Sequence, residues 1–88
     1  MKDADSLLQF PCRFPIKAMG RLESEFKHTV VDIVSRHADS LAEENITEQP
    51  SSAGNFVSVT VTIEATSRDQ LDRIYQDLTN CPTVLMAL

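Results

Sequence analysis

The residues FVSVTVTIEA, from Phe56 to Ala65, alternate between branched apolar side chains and side chains with a hydroxyl or a charge. Successive side chains of a strand point to opposite faces, so this alternation predicts a strand with one buried face and one exposed face. The residues predicted to point inward are Val57, Val59, Val61 and Ile63. The residues predicted to point outward are Ser58, Thr60, Thr62 and Glu64.

Three further strands are predicted. In the run CRFPIKAMG, which Gly20 closes, the alternation places Phe14, Ile16 and Ala18 inward and Lys17 and Met19 outward. In the final run TVLMAL we expect Val84, Met86 and Leu88 to point inward, and Leu85 and Ala87 to point outward. Residues 41–49 contain three glutamates and predict an edge strand, because charge on an edge discourages pairing with other chains.

The spacing of apolar residues also predicts two amphipathic helices. The first covers Leu22 to Ala38, where five apolar residues fall in one sector: Leu22, Phe26, Val30, Ile33 and Val34. The second begins at a capping box of Ser67 and Gln70 and ends before Pro82. Between the second and third strands, the turn PSSAGN predicts positive φ at Gly54.

The resulting order, βαββαβ, predicts an α+β ferredoxin-like sandwich, with a four-stranded antiparallel sheet and both helices on one face. Residues 1–88 suit one domain, with residues 1–6 as a flexible N-terminal tail. The second face of the sheet stays open, so its hydroxyl groups are easily solvated.

Charge and composition limit the classes of function. Eight Lys and Arg residues against thirteen Asp and Glu residues give a formal net charge of −5, which opposes binding to nucleic acid or to anionic lipid. RNA-binding domains of this topology also present aromatic residues on the open face, whereas here Ser58, Thr60 and Thr62 occupy its centre. The sequence contains no membrane-spanning run, and we expect a soluble cytoplasmic protein.

The side chains that carry chemistry favour structural roles, and we expect neither an enzyme nor a cofactor or metal site. The predicted sheet places Cys12 and Cys81 near opposite ends, too far apart for a disulfide. His28 and His37 lie on opposite sides of their helix and cannot share a metal ion. His37 is expected to cap the helix end, or else to line a pocket.

Two candidate sites remain. The first is an interaction face on the open side of the sheet, formed by Lys17, Met19, Ser58, Thr60, Thr62, Leu85 and Ala87. This face combines some apolar area with few charges, so it suits a protein partner, and the alternative is an ordinary solvated face. The second is an effector cleft near the first strand-to-helix loop, formed by Met19, Gly20, Arg21 and His37.

Four segments, FPCRFPIKAMG, SRHA, PSSAGNFVSVTVTIEAT and TVLMAL, occur in this order along the chain. Together they resemble the YbeD-like family of small bacterial proteins, which are also described as lipoate regulatory proteins. The resemblance implies a fold similar to ACT domains, which bind amino acids in metabolic enzymes, and it implies no catalytic activity. It carries no set of functional residues over to this chain.

We therefore expect a non-enzymatic regulatory or adaptor protein that binds a protein partner of unknown identity through the open face, with a link to lipoate metabolism implied by the resemblance. The alternative is an ACT-type sensor that binds an amino acid or a related small-molecule effector in the cleft. Either protein is expected to be a monomer or a weak homodimer.

Overall fold

The computed structural model describes residues 8–39 and 41–88, so the predicted tail at residues 1–6 lies outside the described residues. The elements follow the predicted order. They are β1 (Cys12–Arg21), α1 (Phe26–Ser35), a 3₁₀ turn (Glu43–Asn45), β2 (Ile46–Pro50), β3 (Phe56–Ala65), α2 (Arg68–Asn80) and β4 (Met86–Ala87). The strands form one antiparallel sheet in the order β2-β3-β1-β4, which confirms the ferredoxin-like α+β class and places β2 at an edge.

One face of the sheet and both helices enclose a single hydrophobic core. The apolar residues that were predicted to point inward from β3 are all at most 3 % exposed, and β1 adds Ile16 and Ala18. The helices contribute Phe26, Val30, Ile33 and Val34 from α1 and Leu71, Ile74 and Leu78 from α2. Full burial of one such large side chain contributes about 1.5 to 3 kcal/mol, so this layer is the main source of stability.

Helix α1 is shorter than predicted at both ends. Leu22 is 47 % exposed, and its amide donates to the carbonyl of Asn55 at 3.0 Å, so the chain still follows the path of β1 at this point. At the other end, the amides of Arg36 and His37 donate to carbonyls three residues earlier, at 3.2 and 3.0 Å. Bonds of this spacing tighten the last turn and end the helix.

Helix α2 begins where the capping pattern predicted. The Ser67 hydroxyl accepts a hydrogen bond from the amide of Gln70 at 3.0 Å. The side-chain oxygen of Gln70 accepts from the amide of Thr66 at 2.8 Å, one residue before the cap itself. The turn before β3 also agrees with its prediction, because Gly54 has φ of 78°.

The predicted facing of β4 is wrong, and the register of the strand gives the reason. Lys17 and Leu88 exchange backbone hydrogen bonds of 3.0 and 2.7 Å, Ala18 lies opposite Ala87, and Met19 lies opposite Met86. Ala87 therefore shares the core face with Ala18, whereas Met86 and Leu88 share the open face with Met19 and Lys17. A shift of one residue in register moves every side chain to the other face.

Proline in the middle of β1 does not weaken its pairing with β3. The amide of Lys17 points toward β4, and amides two residues apart on a strand point to the same side. The nitrogen of Pro15 therefore faces the β4 side, away from its β3 neighbour Thr62. A proline there leaves an edge without a donor and discourages growth of the sheet.

Candidate functional site

The open face of the sheet is built from rows of residues that lie side by side across the strands. Thr60 of β3 pairs with Lys17 of β1 and Thr47 of β2, and Ser58 pairs with Met19 and Gln49 in the next row. The centre of this face consists of half-buried hydroxyl groups, as predicted for Ser58, Thr60 and Thr62. No described helix covers it, because both helices contribute their buried residues to the core on the opposite side.

One end of the open face carries a cluster of apolar side chains, which we call the apolar patch and define as Met19, Phe56, Met86 and Leu88. Met86 lies directly opposite Met19. Phe56 lies two residues before Ser58 on β3, and Leu88 lies two residues after Met86, just beyond the end of β4, so both occupy positions diagonal to Met19. The exposed fractions are 39 % for Phe56, 52 % for Met86 and 60 % for Leu88.

One of the residues predicted for the interaction face, Ala87, lies elsewhere, and a second, Leu85, lies outside the strand itself. Ala87 is half-buried and packs against the core, as its pairing with Ala18 requires. Leu85 precedes β4, and its amide donates to the carbonyl of Met19 at 2.8 Å while its side chain is 56 % exposed. Met86 and Leu88 were not predicted for this face because they were assigned to the core. Phe56 was expected to point outward at the start of its strand, but it was not included among the predicted interaction residues.

Lys17 and Arg21 flank Met19 along β1. The guanidinium carbon of Arg21 lies 5.9 Å from the centroid of the Phe56 ring, a cation–π distance. Neither Lys17 nor Arg21 forms a salt bridge with a carboxylate among the described residues. The third cation of this face, Arg13, donates to the side-chain oxygen of Asn45 at 3.2 Å.

The cations of the helical side, in contrast, are paired with carboxylates. Lys27 lies 2.6 Å from Glu43, and this hydrogen bond raises the pKa of Lys27 above its ordinary value. The other pairs are Arg36 with Asp32 at 3.2 Å, Arg68 with Asp72 at 3.1 Å and Arg73 with Asp69 at 2.8 Å.

The predicted effector cleft is not assembled as one site. Met19 points to the open face, Arg21 is exposed beside Phe56, and Gly20 is buried. A Cβ atom at Gly20 would lie 2.3 Å from the Phe26 ring and 2.6 Å from the Thr83 carbonyl oxygen, so the space beside it is filled. His37 follows the other end of α1, about 15 Å of helix away.

His37 instead joins the two helices. Its Nε2 lies 2.7 Å from a carboxylate oxygen of Asp77, and its backbone carbonyl accepts a hydrogen bond from the side chain of Gln70 at 2.8 Å. This contact was not predicted from the sequence. The one sequence signal for it is the spacing of Gln70 and Asp77, which lie two helical turns apart on the same side of α2. Because both groups are already bonded, we assign them a structural role.

A groove of about 370 Å³ between α1 and α2 is lined by His28, Asp32, Arg36, Asp77 and Cys81, among others. Its charged groups bind one another, since Arg36 contacts Asp32 at 3.2 Å and Asp77 at 4.0 Å. Within residues 8–39 and 41–88 no three His, Cys, Asp or Glu side chains are placed to hold a metal ion. Cys12 and Cys81 are free, half-buried thiols.

None of the helices in the described part of the chain has the length and apolar character to cross a membrane.

The fold and the open face define a small ferredoxin-like α+β protein with one sheet surface that the described residues leave uncovered. Residues 5–88 match the model of a family described as DUF493, protein of unknown function, and the chain belongs to this family. It is 48 % identical over 86 residues to a UPF0250 protein of Chromobacterium violaceum, covering 98 % of this chain and 97 % of the relative. It is 45 % identical over 84 residues to a UPF0250 protein of Janthinobacterium sp., covering 96 % and 92 %.

A solved structure supports the fold alone. The solution structure of protein HP0495 from H. pylori aligns with a TM-score of 0.71 and 13 % identity, covering 99 % of this chain and 91 % of that chain. The UPF0250 relatives and the family match agree with the resemblance to the YbeD-like family that the sequence motifs indicate.

Proposed function

We propose that the chain is a non-enzymatic adaptor or regulatory protein that binds a protein partner through the open face of its sheet. The observation that supports this most is the apolar patch, where Met86 and Leu88 remain 52 % and 60 % exposed beside Met19. Clustered apolar side chains in water cost free energy, and a cluster of this kind is typical of a surface that another protein covers.

The chemistry of the surrounding face agrees with this proposal. Hydroxyl groups at Ser58, Thr60 and Thr62 lie at the centre of the face beside the apolar patch, and protein interfaces combine apolar contacts with hydrogen bonds in this way. The centre of the face is built on β1 and β3, which pair over ten residues, so its backbone is held in a fixed arrangement before a partner binds. A preformed surface loses little conformational entropy on binding.

Small-molecule sensing at the predicted effector cleft has less support. The space beside Gly20 is occupied by Phe26 and Thr83, and His37 lies at the far end of α1. The depression at Met19 and Phe56 has about 110 Å³, compared with about 300 Å³ or more for typical ligand pockets. The link to lipoate stays a prediction from the family resemblance.

A pair of double variants tests the proposal. Thr60→Glu with Thr62→Lys places two charges on the open face, and Gln76→Glu with Thr79→Lys makes the same change on the exposed side of α2. Tagged proteins are purified gently from the cells that make them and analysed by native mass spectrometry. We expect a heavier partner chain with the wild type and the α2 variant, and its loss with the open-face variant.

Thermal unfolding of the three proteins provides the control for folding, and we expect closely similar midpoints because the changed positions are not in the core. A partner that stays bound to the open-face variant, or that is lost equally from both variants, would refute the assignment of the interface.

A further inference from the structure

Charge is distributed unequally between the two sides of the molecule. Among the described side chains, the open face presents three cations and one carboxylate: Arg13, Lys17, Arg21 and Glu64. The remaining described surface has four cations and ten carboxylates, and each of those cations is in a salt bridge. The open face is therefore the one basic surface of the described part of an acidic protein.

The position of the cations relative to the apolar patch is regular. Lys17, Met19 and Arg21 project from the same side of β1 at alternate positions, so the two cations are about 13 Å apart with Met19 midway between them. Met86 lies beside Met19 and widens the apolar area between the two charges.

From this arrangement we infer that the open face binds an acidic segment of a protein, whose carboxylates meet Lys17 and Arg21 while a large apolar side chain between them covers Met19 and Met86. This inference rests on the proposed function, because it names the partner chemistry of the same face. The segment that matches best is extended, with acidic, apolar and acidic residues at alternate positions, since that pattern has the same two-residue period as β1.

Other occupants fit the face less well. A second copy of this chain, bound face to face with its Met19 against the Met19 of the first, would bring Lys17 and Arg21 against the same cations, and like charges in contact are unfavourable. Single-stranded nucleic acid is held by aromatic side chains that stack on bases. Phe56 is the one aromatic residue on the described open face, and Arg21 already lies over its ring.

Selection of peptides tests the inference without knowledge of the partner. A display library of short random linear peptides is selected on the wild-type protein, and the enriched peptides are synthesised. Their Kd is measured for the wild type, for Lys17→Glu with Arg21→Glu, and for Arg68→Glu with Arg73→Glu. The two variants change the net charge equally, but the second pair of arginines lies on α2.

We expect the enriched peptides to contain Asp or Glu on both sides of a large apolar residue. The open-face reversal is expected to weaken their binding about tenfold or more, because it replaces attraction by repulsion, whereas the α2 reversal has a much smaller effect. Raising the salt from about 0.1 to about 1 M shortens the Debye length from about 10 to about 3 Å and is expected to weaken binding to the wild type.

Enriched peptides without an excess of acidic residues, or equal losses with both reversals, would overturn the inference. If the enriched peptides nevertheless lose binding to the Thr60→Glu, Thr62→Lys variant, the open face remains the binding surface, and only the inference that the partner is acidic is wrong. If no peptide responds to either open-face variant, the proposed function fails as well. The inference would also be contradicted if a single-stranded oligoribonucleotide bound more tightly than any peptide and Lys17→Glu with Arg21→Glu abolished that binding.

Discussion

Replacing Gly20 by alanine is expected to destabilise the protein strongly. The added Cβ would lie 2.3 and 2.7 Å from two atoms of the Phe26 ring and 2.6 Å from the carbonyl oxygen of Thr83. Phe26 is 2 % exposed and is enclosed by the core, so its ring cannot turn into solvent. The segment after Thr83 is held against β1 by the bond from the Leu85 amide to the Met19 carbonyl.

Overpacking of a core typically costs about 1 to 3 kcal/mol, and two rigid neighbours place this substitution at the upper end, about 3 kcal/mol. Urea unfolding followed by circular dichroism measures the loss. With a slope of about 1 kcal/mol per molar for a small chain, the midpoint should fall by about 3 M at an unchanged slope. A matched control is Gly54→Ala, which meets no atom within 4 Å but has φ of 78° and should cost about 1 kcal/mol.

A double-mutant cycle identifies the steric cause. Phe26→Leu removes the two ring atoms that the new Cβ approaches, so Gly20→Ala should cost at least about 1 kcal/mol less in that background than in the wild type. A wild-type Gly20→Ala loss smaller than that of Gly54→Ala, or no coupling with Phe26→Leu, would refute the close packing at this position.

Two further predictions concern α2. Ser67→Ala should lower the free energy of unfolding, measured in urea, by about 1 kcal/mol because it removes the N-cap bond to Gln70. The control is Ser52→Ala in the exposed turn, and equal losses from both variants would contradict the capping role of Ser67. Burial raises the pKa of Tyr75 above its ordinary value of 10.0. The folded protein therefore holds the phenol proton more tightly than the unfolded chain, and the stability that the buried neutral Tyr75 contributes is complete below pH 10.0 and is lost as the pH rises through the folded pKa. Tyr75 is the single tyrosine, so its phenolate absorbance reports this directly, and a folded-state midpoint at or below 10.0 would contradict it.

The parts of the fold that the sequence predicts well are those that local patterns determine. The alternation in β3 and the Ser67 cap both depend on residues close together in the chain, and both agree with the structure. The core residues of α1 were also identified correctly, because four of the five residues in the predicted apolar sector are buried.

The parts that the sequence analysis missed depend on contacts between distant residues. The facing of β4 is set by its pairing with Lys17, Ala18 and Met19, about seventy residues earlier in the chain. Hydrophobicity suggested that Met86 and Leu88 are core residues, and the same property makes them part of the apolar patch. Residue type alone does not separate a buried methionine from an exposed one.

The end of α1 is a second place where a contact between distant residues was not predicted from the sequence. His37 suits a helix end, as its sequence position suggests, but its contact with Asp77 links residues 40 positions apart. The proposed effector cleft placed Gly20 beside an open space, whereas the packing of Phe26 fills that space.

The measurement that tests the open face most directly is site-specific photocrosslinking in living cells. A photoreactive amino acid is placed at Thr60 at the centre of the open face, or at Gln76 on the exposed side of α2. We predict discrete adducts with a second protein from Thr60 and none of them from Gln76. The absence of adducts from Thr60, or the same adducts from both positions, would contradict the proposal that the open face is the binding surface.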